Sequence, residues 1–195
     1  FPWVSMRLGL GSHNEAGVAY TGQRARIDGR HALVFGHWAL SLGLGAVMGL
    51  AHGKDASFGG TSTLGSTQVL PGLDTSGVHS VGVDVPLIVG WRSAADVARI
   101  WMGLRPGYEH GYGSLQLATQ TDAKALDFQS DALTVTAIAG LAVGLRPLFL
   151  ALEMGFGDTR AHGKLLNYTA AGGSNSASVA AYSFTPAAAL IWEMR

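Results

Sequence analysis

From Trp38 to Leu50 every second residue is apolar: Trp38, Leu40, Leu42, Leu44, Ala46, Met48 and Leu50. The residues between them, Ala39, Ser41, Gly43, Gly45, Val47 and Gly49, are mostly small. A period of two describes a β-strand with one apolar face. Twelve steps at about 3.3 Å span roughly 40 Å, and a tilt of about 45° projects this to roughly 28 Å, close to the hydrocarbon thickness of a bilayer. Strands of soluble proteins usually stop after about five or six residues. Length and one-sidedness together predict a transmembrane β-strand.

The same alternation recurs along the chain. It predicts strands over about 3–11, 17–35, 38–52, 78–92, 98–106, 132–145, 148–157 and 177–194. The second is the least regular, polar through Gln23-Arg24-Ala25-Arg26 and apolar only at Leu33 and Phe35. Between strands the connections alternate in length. Short ones fall at 36–37, 93–97 and 146–147; long, glycine-rich ones at 53–77, 107–131 and 158–176. The expected fold is all-β: a closed antiparallel up-and-down transmembrane β-barrel of about eight strands, one domain over residues 1–195. Barrels of bacterial outer membranes have even strand numbers, short periplasmic turns and long outer loops. Both termini and the short turns are therefore expected on the periplasmic side, and the loop at 12–16 on the outer side. A hairpin hidden in 53–77 would make ten strands.

Composition agrees. Hydrophobic residues make up 48% of the chain and charged residues 13%, about half the share of a typical soluble domain. The 28 glycines suit turns and crowded inward positions. Thirteen basic and thirteen acidic residues cancel, so nothing points to nucleic acid as a partner. Cysteine is absent, which is compatible with an oxidising periplasm. Phe1-Pro2-Trp3 shows no initiator Met and no signal peptide, as expected of a mature chain whose export signal was removed or never included. The competing fold is a helical membrane protein with a span near Ala32 to Ala51. The sorting of small residues to one parity argues against it, because a helix does not need that sorting.

With Phe35-Gly36-His37-Trp38-Ala39-Leu40-Ser41-Leu42-Gly43-Leu44-Gly45 as turn and rising strand, the chain resembles the small eight-stranded outer-membrane barrels of the OmpA/OmpX type. Thr185-Pro186-Ala187-Ala188-Ala189-Leu190-Ile191-Trp192 looks like the closing strand of such barrels. The resemblance implies residence in the bacterial outer membrane among lipid and lipopolysaccharide, with envelope proteins as partners. It implies no cofactor and almost nothing about the biological task.

Candidate chemistry lies first in the charges that parity turns inward: Arg7, Asp84, Arg92, Arg99, Arg105, Glu153 and Glu193. A charge facing lipid near the midplane costs about 2–4 kcal/mol, so the inward assignment is physically demanded. These residues are expected to form a lumen charge network that plugs a narrow barrel. The small inward residues leave open a second reading, a path for ions or slender apolar solutes. His13, His52, His79, His110 and His162 fall in or beside the expected outer loops but lack metal-ligand spacing. His52, Asp55, Ser57, Asp74, Ser76 and His79 hold the ingredients of an outer-leaflet lipid enzyme, but no spacing selects a nucleophile and base. Trp3, Phe35, Trp38, Trp91 and Trp192 are expected to form an interfacial aromatic girdle at the periplasmic strand ends, and Tyr108, Tyr112, Phe156, Tyr168 and Tyr182 a second one opposite. The expected function is non-enzymatic: envelope integrity, adhesion or surface interaction through the long outer loops. The alternatives are a narrow channel or carrier, and a lipid-modifying enzyme.

Overall fold

The computed structural model describes residues 4–20, 24–49, 73–74, 79–117, 126–145, 147–166 and 175–192. Among these residues there is no helix, and none that is long and apolar enough to cross a membrane. Eleven strand segments form one antiparallel sheet: β1 (Val4–Gly11), β2 (Asn14–Tyr20), β3 (Arg24–Phe35), β4 (Trp38–Gly49), β5 (Leu73–Asp74), β6 (His79–Asp84), β7 (Leu87–Arg92), β8 (Ala98–Leu117), β9 (Leu126–Leu145), β10 (Leu148–Leu165) and β11 (Ser176–Trp192). Segments β5, β6 and β7 follow one another along the same neighbour, β8, and so occupy one position. Position by position the sheet follows the chain, from β1 at one edge to β11 at the other.

Two turns show how the sequence sets the hairpins. Gly36 takes φ +60° between Phe35 and Trp38, the positive dihedral that a tight two-residue hairpin needs at its first central position. Pro86 has no N–H to give the ladder and separates β6 from β7. The neighbouring backbone bonds persist: Gly43 N donates to the Pro86 carbonyl at 2.9 Å, and Val85 N donates to that of Pro106 at 2.9 Å.

The architecture corrects the expected strand count. The segment 17–35 is two strands, β2 and β3, reversing between Tyr20 and Arg24. That extra reversal changes the direction of β1. Its first residues lie level with the start of β3 and the end of β4, through the register Val4–Tyr20–Ala25–Met48. The turn at Ser12-His13 therefore lies on the same side as the short turns at 36–37 and 93–97, not on the side of the long connections. Strands β8, β9 and β10 also run well into the stretches expected as loops. The hydrophobic alternation stops at Leu104 and resumes at Leu133, but the hydrogen-bond ladder does not stop there. The apolar pattern marks where the outward face is greasy; pairing continues beyond it with polar residues.

The two faces differ sharply. Leu40, Leu42 and Leu44 are 36%, 56% and 63% exposed, and the outward residues of the other strands are exposed in the same way. The interior is small. Near the short turns Phe149, Ala142 and Ala151 are buried, with Trp101 and Ile191 against them. Phe128 is buried toward the other end. Between these apolar ends lies a belt of charge. The sheet curls toward this face: Arg24 on β3 meets Glu109 on β8 at 3.0 Å, although β4 and β6 lie between them. On a flat sheet those strands would stand about 14 Å apart.

Candidate functional site: a charged belt on the concave face

The belt is built around Asp28. Its side chain is only 2% exposed and lies within ion-pair distance of three guanidinium groups, of which Arg30 Nε makes no hydrogen bond. Arg7 Nη2 lies 2.9 Å from Oδ2, Arg26 Nη1 3.0 Å from Oδ1 and Arg30 Nε 3.2 Å from Oδ2. Arg26 also grips Asp84 in a two-pronged contact, Nε to Oδ2 at 2.7 Å and Nη2 to Oδ1 at 2.6 Å. Such forked pairs are the strongest and most directional that Arg and a carboxylate make. At the rim Arg7 reaches Glu15 at 3.5 Å, and Glu109 accepts from Arg24 and from Ser80 Oγ at 2.6 Å.

The Arg7–Asp28 and Arg26–Asp84 bridges each skip a strand, and the skipped residue is glycine. Arg7, Gly17 and Asp28 are in register on β1, β2 and β3. A Cβ on Gly17 would sit 2.5 Å from Asp28 Oδ1 and 3.0 Å from Arg7 Nη2. On β4, Gly45 is level with Asp28 on β3 and Asp84 on β6, and Arg26 reaches across it; a Cβ there would stand 2.7 Å from Arg26 Nη2 and 2.8 Å from Asp84 Oδ1. Nearer the short turns, the Trp101 indole lies over Gly140 and donates from Nε1 to Glu153 at 2.7 Å. The space above these glycines is thus filled by side chains from the strands on either side.

The charges singled out from the sequence divide among several places. Arg7 and Asp84 belong to the central belt. Glu153 binds Trp101 instead. Arg99 pairs with Asp96 at 3.0 Å and stacks 4.1 Å above the Phe149 ring, closing the short-turn end of the interior. Arg105 stands between these groups, in the electrostatic field of Arg26, Asp84, Glu153 and Asp28. Arg92 is exposed at the end of β7. Glu193 lies outside the described residues. Sequence reasoning missed the centre of the belt, Arg26, Asp28 and Arg30, together with Arg24 and Glu109. The signal was present: Arg24, Arg26, Asp28 and Arg30 alternate with Ala25, Ile27 and Gly29.

The aromatic residues lie in rows on the outward face. Phe35, Trp38 and Trp91 stand side by side in register on β3, β4 and β7, and Trp192 pairs with Leu148 at the same end. Toward the other end Phe156 pairs with Phe184, ring centroids 4.8 Å apart, with Tyr108, Tyr112 and Tyr182 also exposed there. Trp3 and Tyr168 lie outside the described residues. Beyond the apolar band Asp131 accepts hydrogen bonds from Tyr108 and from His110, the latter at 2.9 Å. The phenol and then the imidazole hold the Asp131 carboxyl below its usual range, and the carboxylate raises the Tyr108 phenol above its own.

The remaining candidates do not converge. His79 and His110 flank the Tyr112 ring, His162 bonds Ser178, and His13 lies on the short-turn side. Among the described residues no three of His, Asp or Glu gather as a metal-holding group. His52, Asp55, Ser57 and Ser76 lie outside the described residues, as does the side chain of Asp74. In the belt itself each carboxylate is engaged by cations, so the arrangement neutralises charge and braces the curled sheet. Comparison with protein families, with curated proteins and with solved structures finds no match.

Proposed function

We propose that this chain forms a transmembrane β-barrel of a bacterial outer membrane. In this reading it is a plugged scaffold, not a conduit or an enzyme. Its work is envelope integrity, adhesion or surface interaction through the long outer loops that the sequence predicts. One observation carries the reading: between the aromatic rows the convex face is mostly apolar, while Arg26, Asp28, Arg30 and Asp84 lie together on the concave face. Exposure of this kind is untenable in water, where contiguous apolar patches above a few hundred Å² are rare. It is the arrangement of a membrane barrel, apolar outward and polar inward with aromatic girdles. From the Trp91–Ile100 level to Tyr108 is eight residues along β8, about 27 Å, or about 20 Å after a tilt near 40°. That is close to the height of a barrel's apolar band.

Two features favour a plug over a pore. Three small inward residues that could have left a path, Gly17, Gly45 and Gly140, lie beneath Arg7, Arg26 and Trp101. The interior toward the short turns is blocked by Phe149 under Arg99. The test has two parts. The protein should need detergent for extraction and migrate differently on gels with and without heating. Reconstituted in planar bilayers, it should show no discrete conductance steps. Extraction by aqueous carbonate would refute the membrane assignment, and regular single-channel steps would refute the plug.

A further inference from the structure

We propose that the space between β1 and β11 is the seat of one more β-strand, a segment of the same polypeptide outside residues 1–195 that runs antiparallel to both edges. This rests on the membrane reading above, because in lipid every backbone N–H and C=O needs a partner within the protein. The first observation is direction. The register carries across the sheet from Val4 through Tyr20, Ala25, Met48, Val81, His110, Asp131 and His162 to Ser178. Both edges therefore start at the long-connection end and run the same way. Every pairing within the sheet is antiparallel, and β1 and β11 can meet each other only in parallel. One intervening strand restores the alternation on both sides.

The second observation is exposure. All of β1 is exposed, its inward residues Ser5, Arg7 and Gly9 included. On β11 the inward residues Thr185 and Ala189 are exposed and Ala181, Ser183, Ala187 and Ile191 half-buried, while Gly155 and Ala151, the β10 partners of the first two, are buried. The concave face thus loses its cover at the two edges. The source follows from order. Each neighbour across this sheet is also the neighbour in sequence, so the strand that continues the order is contiguous with this polypeptide. A second copy does not serve: in a shared membrane its own edges point the same way and could add only in parallel. The segment should be about nine to eleven residues long with alternating polarity, its apolar side chains outward.

The test uses the full polypeptide in its native membrane. Gly9→Cys is suited to β1 because an added Cβ there meets nothing within 4 Å; Ala189→Cys serves β11. Each cysteine carries a short photoreactive group, and cross-linked peptides are identified by mass spectrometry. Both positions should label one segment of the same polypeptide outside residues 1–195. Moving the probe from Gly9 to Ser5 should shift the labelled site toward the C-terminal end of that segment. Direct β1–β11 cross-links, labels on another protein, or labels on lipid alone would each overturn the proposal. Carbonate extraction, by contrast, would refute the membrane reading and leave the cross-link pattern to decide the strand.

Discussion

Removing the Asp28 carboxylate should be the most damaging single change on the concave face. Asp28→Ala takes from Arg30 its carboxylate, while Arg26 keeps Asp84 and Arg7 keeps the more distant Glu15. Breaking a buried ion pair by deleting one partner costs about 3–5 kcal/mol, because the charge left behind stays buried and uncompensated. The three cations are not equally buried: Arg26 and Arg30 are 15% and 19% exposed, but Arg7 is 35% exposed and can turn toward water. The lower part of the range, about 3 kcal/mol, is therefore expected. With a urea dependence near 2 kcal/mol per molar, the unfolding midpoint should fall by about 1.5 M. The measurement is a urea titration in lipid vesicles followed by emission of the five tryptophans. Asp158→Ala is the control. Its partner Arg160 is 78% exposed and 3.6 Å away, and such pairs contribute a few tenths of a kcal/mol at most. A midpoint for Asp28→Ala no lower than that of Asp158→Ala would refute the view that the belt braces the sheet.

Three further outcomes are expected. Gly45→Ala places a methyl between Arg26 and Asp84 and should cost about 1–3 kcal/mol, as overpacking does; combined with Asp84→Ala the two costs should not add, which a double-mutant cycle in urea measures. Gly140→Ala puts its Cβ against the Trp101 ring, so the indole must leave Glu153, and tryptophan emission should change in the folded state; an unchanged spectrum would count against the contact. Asp131→Asn should let Tyr108 ionise at lower pH than in the parent chain, read as phenolate absorbance after subtraction of a Tyr108→Phe spectrum. In the parent chain the Asp131 contribution is present above its unfolded pKa and is lost as pH falls through the depressed folded value, so acid should release Tyr108 only well into the carboxylate range.

The strands with one exposed apolar face along their whole length were legible because such a face writes a period of two in one letter class. β4 and the lower part of β9 needed nothing else. The same reasoning stopped β8 near Pro106, where the outward residues become Tyr108, His110 and Tyr112. There pairing with β9 maintains the strand, and a partner strand leaves no apolar mark on its neighbour. The fusion of β2 with β3 has a related cause. Arg24, Arg26, Asp28 and Arg30 alternate as cleanly as the leucines of β4, but a charged alternation resembles a polar loop unless its inward parity is followed. Asp28 was missed for that reason alone.

The glycines show what one strand cannot reveal about another. Gly17, Gly45 and Gly140 read as small inward positions, and from the sequence such positions suggest free volume. Each is instead a saddle for a bridge between the strands on either side: Arg7 to Asp28, Arg26 to Asp84, Trp101 to Glu153. A side chain on the middle strand would block the bridge, so the small residue and the long one on the next strand form one device. A concave sheet brings alternate strands close enough for such bridges, and the bridges in turn hold the curvature. The inward glycines are therefore better read together with the longest polar or aromatic residue at the same level on a neighbouring strand. By that reading these glycines are covered from the flanks, and the charge between alternate strands braces the curled sheet.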